Sequence, residues 1–392
     1  MTLGRTTRTK KAGARKRSGK PANKPANQSV AKSMEAQLRA IEQGDGEGEL
    51  DLGRGVMLHV SSLNKVYFPY VGVTKGALMR YYAHIAHMLS PQLQGRPLVL
   101  KRYPDGVPGP TFFQQDAGPH VPDVVRVQAL QTEEKGERLR IIGGDLVTLL
   151  YTVQLGAIEV HPWLSRVPEI ESADQCLIDL DPGDDVPFSA VVQLARDILH
   201  IVEECGLVAA VKTSGSTGMH VVLPLPGHTS YDTSVLLATR IAEVATRLRP
   251  ERATVERSIR GRPPETIYVD AMQNARGKSA ASAYSVRARS GATVSAPVRA
   301  AELTGRLRLC AFTTRTMPAR IRHAGDIWGS ALCARPTART LARAMQMLED
   351  ALTASTKAAA PERRSKRGSA GGRDAGPEVA RGRSRRAHGT RG

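Results

Sequence analysis

The sequence predicts an α+β protein whose mixed, substantially antiparallel sheet is flanked by helices and set between disordered basic tails. Three observations carry that reading. Several segments place apolar residues at three- and four-residue spacing, short apolar strands follow one another in no strict βαβ order, and the excess charge gathers at the two ends.

The chain has 392 residues, a formal charge of +19 and 41% hydrophobic residues. That length allows one large domain or two to three of roughly 100–200 residues each, and the composition is sufficient for a core. No apolar run approaches the ~18 residues of a membrane span. Met1 to Lys20 is basic without an apolar stretch, so no secretory signal is expected and a cytoplasmic location is. Residues 1–33 carry ten Lys/Arg and no acid, and 351–392 carry eleven Lys/Arg and three acids. The body between them is nearly neutral. Such arms fit a polyanion partner, the plain alternative being solubility alone. The four cysteines form no CxxC pair, which argues against a zinc ribbon and for a reducing compartment.

Residues 1–50 read as a low-complexity basic arm and linker, with one short helix over 34–42. The body runs from 51 to 335, a last helix follows over 336–352, and 353–392 is a second basic tail. Within the body, Thr74 caps a helix with Leu78, Tyr81, Tyr82, Ile85 and Leu89 on one side. RPLVLKRYP (96–104) reads as a strand. Asp145 caps a helix that breaks at Gly156 into a strand ending at His161. CLIDLDP (176–182) is a buried strand stopped by Pro182 and Gly183. A helix over Pro187 to Glu204 follows, then two strands joined by the turn Ser214–Gly218, then a helix over Ser230 to Arg249. TIYVD (266–270) and SAYSVRAR (282–289) read as strands, and Leu341, Met345, Leu348 and Leu352 mark the final helix.

Asp179 and Asp181 lie two apart on an otherwise apolar strand, so both carboxylates project from one face. Neighbouring buried anions are costly unless a cation sits between them, and Mg²⁺ or Mn²⁺ takes oxygen ligands and bridges to phosphates. Asp270 ends another apolar strand and could supply a third ligand. The alternative is a strand end capped by Asp before Pro-Gly. The turn Ser214-Gly215-Ser216-Thr217-Gly218-Met219-His220 offers hydroxyls, backbone N–H groups and an imidazole, as an anion-binding nest does. It is not a Walker A loop, since no GK[ST] follows. Arg276, Lys278, Arg287 and Arg289 follow Asp270 closely, with Arg287 and Arg289 alternating on one strand face. Acids for metals and bases for a polyphosphate together suit phosphoryl transfer.

Seven blocks in order carry a resemblance: VYFPYVGVTKGALMRYYAHIA, GRPLVLKRYPDGVPGPTFFQQDA, GAIEVHPWLSR, LIDLDPG, VKTSGSTGMHVVLPL, VDAMQNARGKSAASAYSVRAR and FTTRTMPARI. Over roughly 56–335 the chain resembles the polymerase domain of bacterial ligase D, of the archaeo-eukaryotic primase superfamily. The resemblance implies a primase-polymerase core. Asp179 and Asp181 match its DxD metal pair and Asp270 its third acid, holding two divalent ions, Mn²⁺ favoured and Mg²⁺ the alternative. His161, Ser214, His220 and Arg287 match nucleotide-contacting positions, and Lys278 a further phosphate contact. Lys65 and Lys75 match the pair that grips a 5′-phosphate across a gap, and Phe112 and Phe113 the aromatic pair that stacks on DNA. Successive residues seldom face the same way, so one of these two Phe is expected to be exposed.

The sequence departs from the family pattern in three places. Thr217 stands where a Lys or Arg is usual, Ser62 replaces a customary Asn, and Pro263, Pro264 and Thr266 lie where a basic residue and a shorter turn are usual. The arms are too short for the ligase and phosphoesterase folds commonly fused to this domain. The expectation is therefore a stand-alone polymerase that adds NTPs or dNTPs to primer 3′-hydroxyls in gapped or broken DNA. It would work with a separate DNA ligase and with Ku. A de novo primase and a non-catalytic end-bridging protein are the rival readings.

Overall fold

The computed structural model describes residues 24–132 and 136–359. The basic arms expected at the chain ends therefore lie largely outside the described residues.

Helix α1 (Lys24–Gln43) leads into strands β1 (Gly48–Asp51), β2 (Met57–Val60), β3 (Val66–Phe68) and β4 (Val73–Thr74). Helix α2 (Lys75–Leu93) starts where the Thr74 hydroxyl accepts from the Ala77 N–H (3.0 Å), as its sequence predicts. Strands β5 (Leu98–Arg102), β6 (Phe112–Gln114), β7 (Val127–Thr132) and β8 (Gly136–Ile141) precede α3 (Leu146–Gln154), which Asp145 caps. Gly156, at φ +83°, turns the chain out of α3 into β9 (Ala157–Pro162). Next come β10 (Gln175–Pro182), α4 (Phe188–Glu204), β11 (Ala210–Thr213), β12 (Met219–Pro224) and α5 (Tyr231–Leu248). Strands β13 (Ala253–Thr254), β14 (Ile267–Asp270) and β15 (Pro297–Val298) and helices α6 (Met317–Ala324), α7 (Ile327–Leu332) and α8 (Ala338–Ala359) are the last strands and α-helices among the described residues.

The main sheet has the order β13-β14-β10-β12-β11-β15, with only the β13–β14 pair parallel. The fold is thus α+β with a mixed, substantially antiparallel sheet. One face of β10 is closed: Cys176, Ile178 and Leu180 are fully buried, and the Cys176 thiol meets the Ser234 carbonyl of α5. The alternate residues Asp179 and Asp181 project from the other face. A smaller sheet, β6-β5-β9, stands beside it. No helix among the described residues is long and apolar enough to cross a membrane.

Two elements differ from expectation. Helix α1 is longer than the expected 34–42, and β1 starts at Gly48, within the stretch read as arm and linker. Met34, Leu38 and Leu50 belong to the core, since the 34/38/41 spacing gives α1 an apolar stripe against α2. Residues 282–289 form no strand. Tyr284 adopts φ +66°, which breaks the extended run, and only the isolated bridge Val286–Val294 remains.

Candidate active site

Strand register builds the site. Asp179 on β10 lies opposite Asp270 on β14 and opposite His220 on β12, and His220 lies opposite Lys212 on β11. Four polar residues therefore form one row across four strands of the open face, Asp270–Asp179–His220–Lys212. Asp181 begins the next row, opposite Tyr268. Like charges directly opposite one another destabilise a sheet, so Asp179 and Asp270 need a counter-charge between them. Burial pushes the Asp179 carboxyl up to about 7, with Asp181 and Asp270 adding to the effect. Burial also raises the Asp181 carboxyl, against the pull of Arg262, whose guanidinium lies 4.0 Å away.

The acids are not drawn into a cage as they stand. The Asp270 carboxylate accepts from the Met272 N–H (2.7 Å), the Tyr268 hydroxyl (3.3 Å) and the Gln273 amide (3.2 Å). Among the described residues no three His, Cys, Asp or Glu side chains are close enough to hold a metal ion. The donor set nevertheless fits a hard divalent cation: three carboxylates on one face, one of them pushed up to about 7 by burial and by the other two acids.

The nucleotide-matching residues gather beside this row through a residue that sequence reasoning missed. Glu159 on β9 is buried and accepts from His161 Nε2 (3.0 Å), Arg287 Nε (2.9 Å) and the Ala288 N–H (3.1 Å). Burial alone would raise its pKa, but the His161 hydrogen bond and Arg287 hold it down to about 2. One carboxylate thus fixes two of the expected nucleotide contacts. Arg287 also donates to the Ser214 carbonyl, bringing the Gly-rich turn to the same place. Within that turn the Ser214 hydroxyl accepts from the Ser216 (3.1 Å) and Gly218 (3.0 Å) N–H groups, so it closes the loop. A Cβ on Gly218 would meet the Leu180 carbonyl at 1.9 Å, which presses the turn onto β10 between the two acids. His220 Nε2 stands 3.5 Å from Asp179 Oδ1. Lys278 lies beside Ser279, which bridges to Trp163, two residues after His161. Arg276 is paired with Glu171 (2.6 Å), away from this group.

Lys65 and Lys75 share a second pocket. The Lys75 N–H donates to the Lys65 carbonyl (2.8 Å), the Lys65 ammonium pairs with Asp105 (2.6 Å), and the Lys75 ammonium donates to the Ser61 carbonyl (2.8 Å). Burial pushes the Lys75 ammonium down to about 8, and Lys65 and Arg102 push the same way. Ser62 adopts φ +57°, a left-handed conformation that Asn tolerates better than Ser.

The expectation that only one of the two phenylalanines is exposed is corrected. Phe112 is 47% and Phe113 57% exposed, because β6 is the edge strand of its sheet and neither of its faces is covered. They point to opposite sides. Phe112 pairs with Arg102, whose guanidinium lies 5.2 Å from its ring, on the side of the Lys75 pocket. Phe113 pairs with Lys101, and its ring meets that of His161 edge-on at 5.9 Å. The missed residues Lys101, Arg102, Glu159 and Lys212 all lie on strands whose cross-strand partners set their role. For Glu159 and Lys212 the sequence signal was a single charge within or ending an apolar run, and for Lys101 and Arg102 a charged pair ending one.

A largely antiparallel sheet thus carries three carboxylates on one face, with basic residues around them and the Lys65–Lys75 pair on another part of the fold. The model of the LigD primase-polymerase domain matches residues 74–328. The LigD non-homologous end joining protein of Pseudomonas aeruginosa is 33% identical over 271 residues, 69% of this chain and 32% of its own length. That of Bacillus subtilis is 31% identical over 269 residues, 68% of this chain and 43% of its own. The chain thus spans 32% to 43% of the length of these relatives. The polymerase domain of Mycobacterium tuberculosis ligase D, solved in complex with DNA, superposes with a TM-score of 0.66 at 28% identity, covering 71% of this chain and 99% of that one. The chain belongs to the LigD primase-polymerase domain family.

Proposed function

We propose that this protein is a template-dependent nucleotidyltransferase of DNA break repair, adding NTPs or dNTPs to primer 3′-hydroxyls at gaps that present a 5′-phosphate. The observation that carries the reading is the register that sets Asp179 between Asp270 and His220, with Asp181 on the same face. Asp179, Asp181 and Asp270 would hold two divalent ions, Mn²⁺ favoured over Mg²⁺. Bound there, such ions supply Lewis-acid stabilisation of an in-line displacement at phosphorus.

The chain's own residues do the positioning. Arg287, held by Glu159, presents its guanidinium beside the turn, and His161, on the same carboxylate, flanks the Phe113 ring. Lys278 adds a charge for the triphosphate. Lys75, kept short of acid partners because Asp105 is committed to Lys65, is suited to a terminal phosphate. Phe112 and Phe113 face the two sides of the break, one toward each pocket. Asp105 occupies the anionic position beside Lys65 that a DNA phosphate would claim, and Arg262 the cationic position beside Asp181 that a metal would claim, so both pairs would open on binding. A separate DNA ligase would seal the product, and Ku is the partner expected at ends.

The experiment is extension of a primer across a one-nucleotide gap in Mn²⁺, with Asp179→Ala beside the wild type. Incorporation by the wild type and none by the variant is expected. Tight gap binding with no incorporation by either protein would favour the end-bridging reading.

A further inference from the structure

Lys212 is buried on β11 at the end of the polar row. Its Nζ lies 2.7 Å from His220 Nδ1, 2.9 Å from the Ala281 carbonyl and 2.8 Å from Ser295 Oγ. Each partner belongs to a different segment. His220 is on β12 beside Asp179. Ala281 is three residues beyond Lys278. Ser295 is tied by its backbone to Tyr284 and Ser285, at the foot of the loop carrying Arg287.

The proton inventory fixes the direction of two contacts. The Ala281 carbonyl can only accept. Ser295 Oγ donates to the Thr213 carbonyl (2.8 Å), so it accepts from Lys212. The third contact, with His220 Nδ1, orients the ring so that Nε2 faces Asp179. All three contacts stand whether the amine or the imidazole donates the third proton. Burying an amine is costly, and apolar neighbours such as Trp328, whose ring is 6.0 Å away, would pack as well around an aliphatic chain. The geometry of the three contacts is what an amine adds.

We infer that Lys212 is a positioning residue that locks His220, the Lys278 segment and the Arg287 loop into one nucleotide-binding arrangement. The inference rests on the function proposed above for its kinetic readout, and on geometry alone for its spectroscopic one. The three partners of Lys212 are none of the residues that hold Lys65 or Lys75, so the inference concerns nucleotide handling and leaves DNA-end handling aside.

The test is Lys212→Met, which keeps the length and volume of the side chain and removes every donor. Nucleotide KM is expected to rise about tenfold or more, because three contacts are released together. The Kd for 5′-phosphorylated gapped DNA stays within about twofold, since Lys65 and Lys75 share no hydrogen-bond partner with Lys212. The imidazole ¹⁵N resonances of His220, assigned by their loss in His220→Gln, move. Should Lys212→Met fail to fold, Ser295→Ala removes one anchor, and the same shift with a smaller rise in KM is expected. A folded Lys212→Met, or Ser295→Ala in its place, with unchanged KM and unchanged His220 resonances overturns the inference. If the wild type incorporates no nucleotide, the proposed function fails while the His220 resonances still decide the role of Lys212.

Discussion

Lys75→Met separates binding from stability, because the same burial that prepares Lys75 for an anion penalises the fold. Its pKa falls from 10.5 to about 8, first through burial and then through Lys65 and Arg102. At about 1.36 kcal/mol per unit, holding the proton at pH 7 costs the folded state about 3 kcal/mol. The unfolded chain keeps that proton up to 10.5 and the folded chain releases it near 8, so stability rises with pH between those values. The substitution removes the penalty and also the hydrogen bond to the Ser61 carbonyl, worth about 1 kcal/mol. The variant should therefore be more stable by about 2 kcal/mol at pH 7, and by under about 0.5 kcal/mol at pH 9.5. Urea denaturation at the two pH values measures this. Fluorescence anisotropy on gaps carrying a 5′-phosphate or a 5′-hydroxyl measures the loss. A charged hydrogen bond to phosphate contributes about 1.5–3 kcal/mol, so the preference for the 5′-phosphate should drop about 10- to 100-fold. In the wild type that preference weakens as pH rises past about 8. A variant less stable than wild type at pH 7, or one that keeps the preference, refutes the reasoning.

Asp179→Asn should melt above wild type at pH 8 without divalent ions, because it removes the most buried charge of the three acids, and Mn²⁺ should no longer raise its Tm. Differential scanning calorimetry with and without the ion checks both. Phe112→Ala and Phe113→Ala should leave stability within about 0.5 kcal/mol, since both rings are exposed, yet weaken gapped-DNA binding by about 1–3 kcal/mol each, as read by denaturation and anisotropy. Glu159→Gln should cost about 3–5 kcal/mol, by leaving Arg287 without its counter-charge, and should raise nucleotide KM. Because Glu159 titrates near 2, its contribution is full above the ordinary Glu value of 4.5 and disappears as pH falls through about 2, which an acid titration of the Tm would follow.

Much of this architecture is legible in the sequence, for reasons that differ by element. Local signals place α2, α3 and β10: a capping Thr74, a capping Asp145, and an apolar run stopped by Pro182. Alternation along β10 puts Asp179 and Asp181 on one face, because strand period is a local property. The long-range register is not local. That Asp270 faces Asp179, that Glu159 holds both His161 and Arg287, and that Lys212 reaches His220 all depend on which strands pair. Nor does a sequence show that Phe112 and Phe113 lie on an edge strand, where adjacent residues can both be exposed on opposite faces. The false strand at 282–289 has the alternation of a strand, but Tyr284 takes a left-handed backbone that periodicity does not report.

The most direct measurement is single-nucleotide incorporation into a 5′-phosphorylated one-nucleotide gap, with each of the four template bases tested against each nucleotide in Mn²⁺. The account predicts that the wild type adds the complementary nucleotide in all four cases and that Asp179→Ala adds none. Incorporation indifferent to the template base, or retained without Asp179, would contradict it.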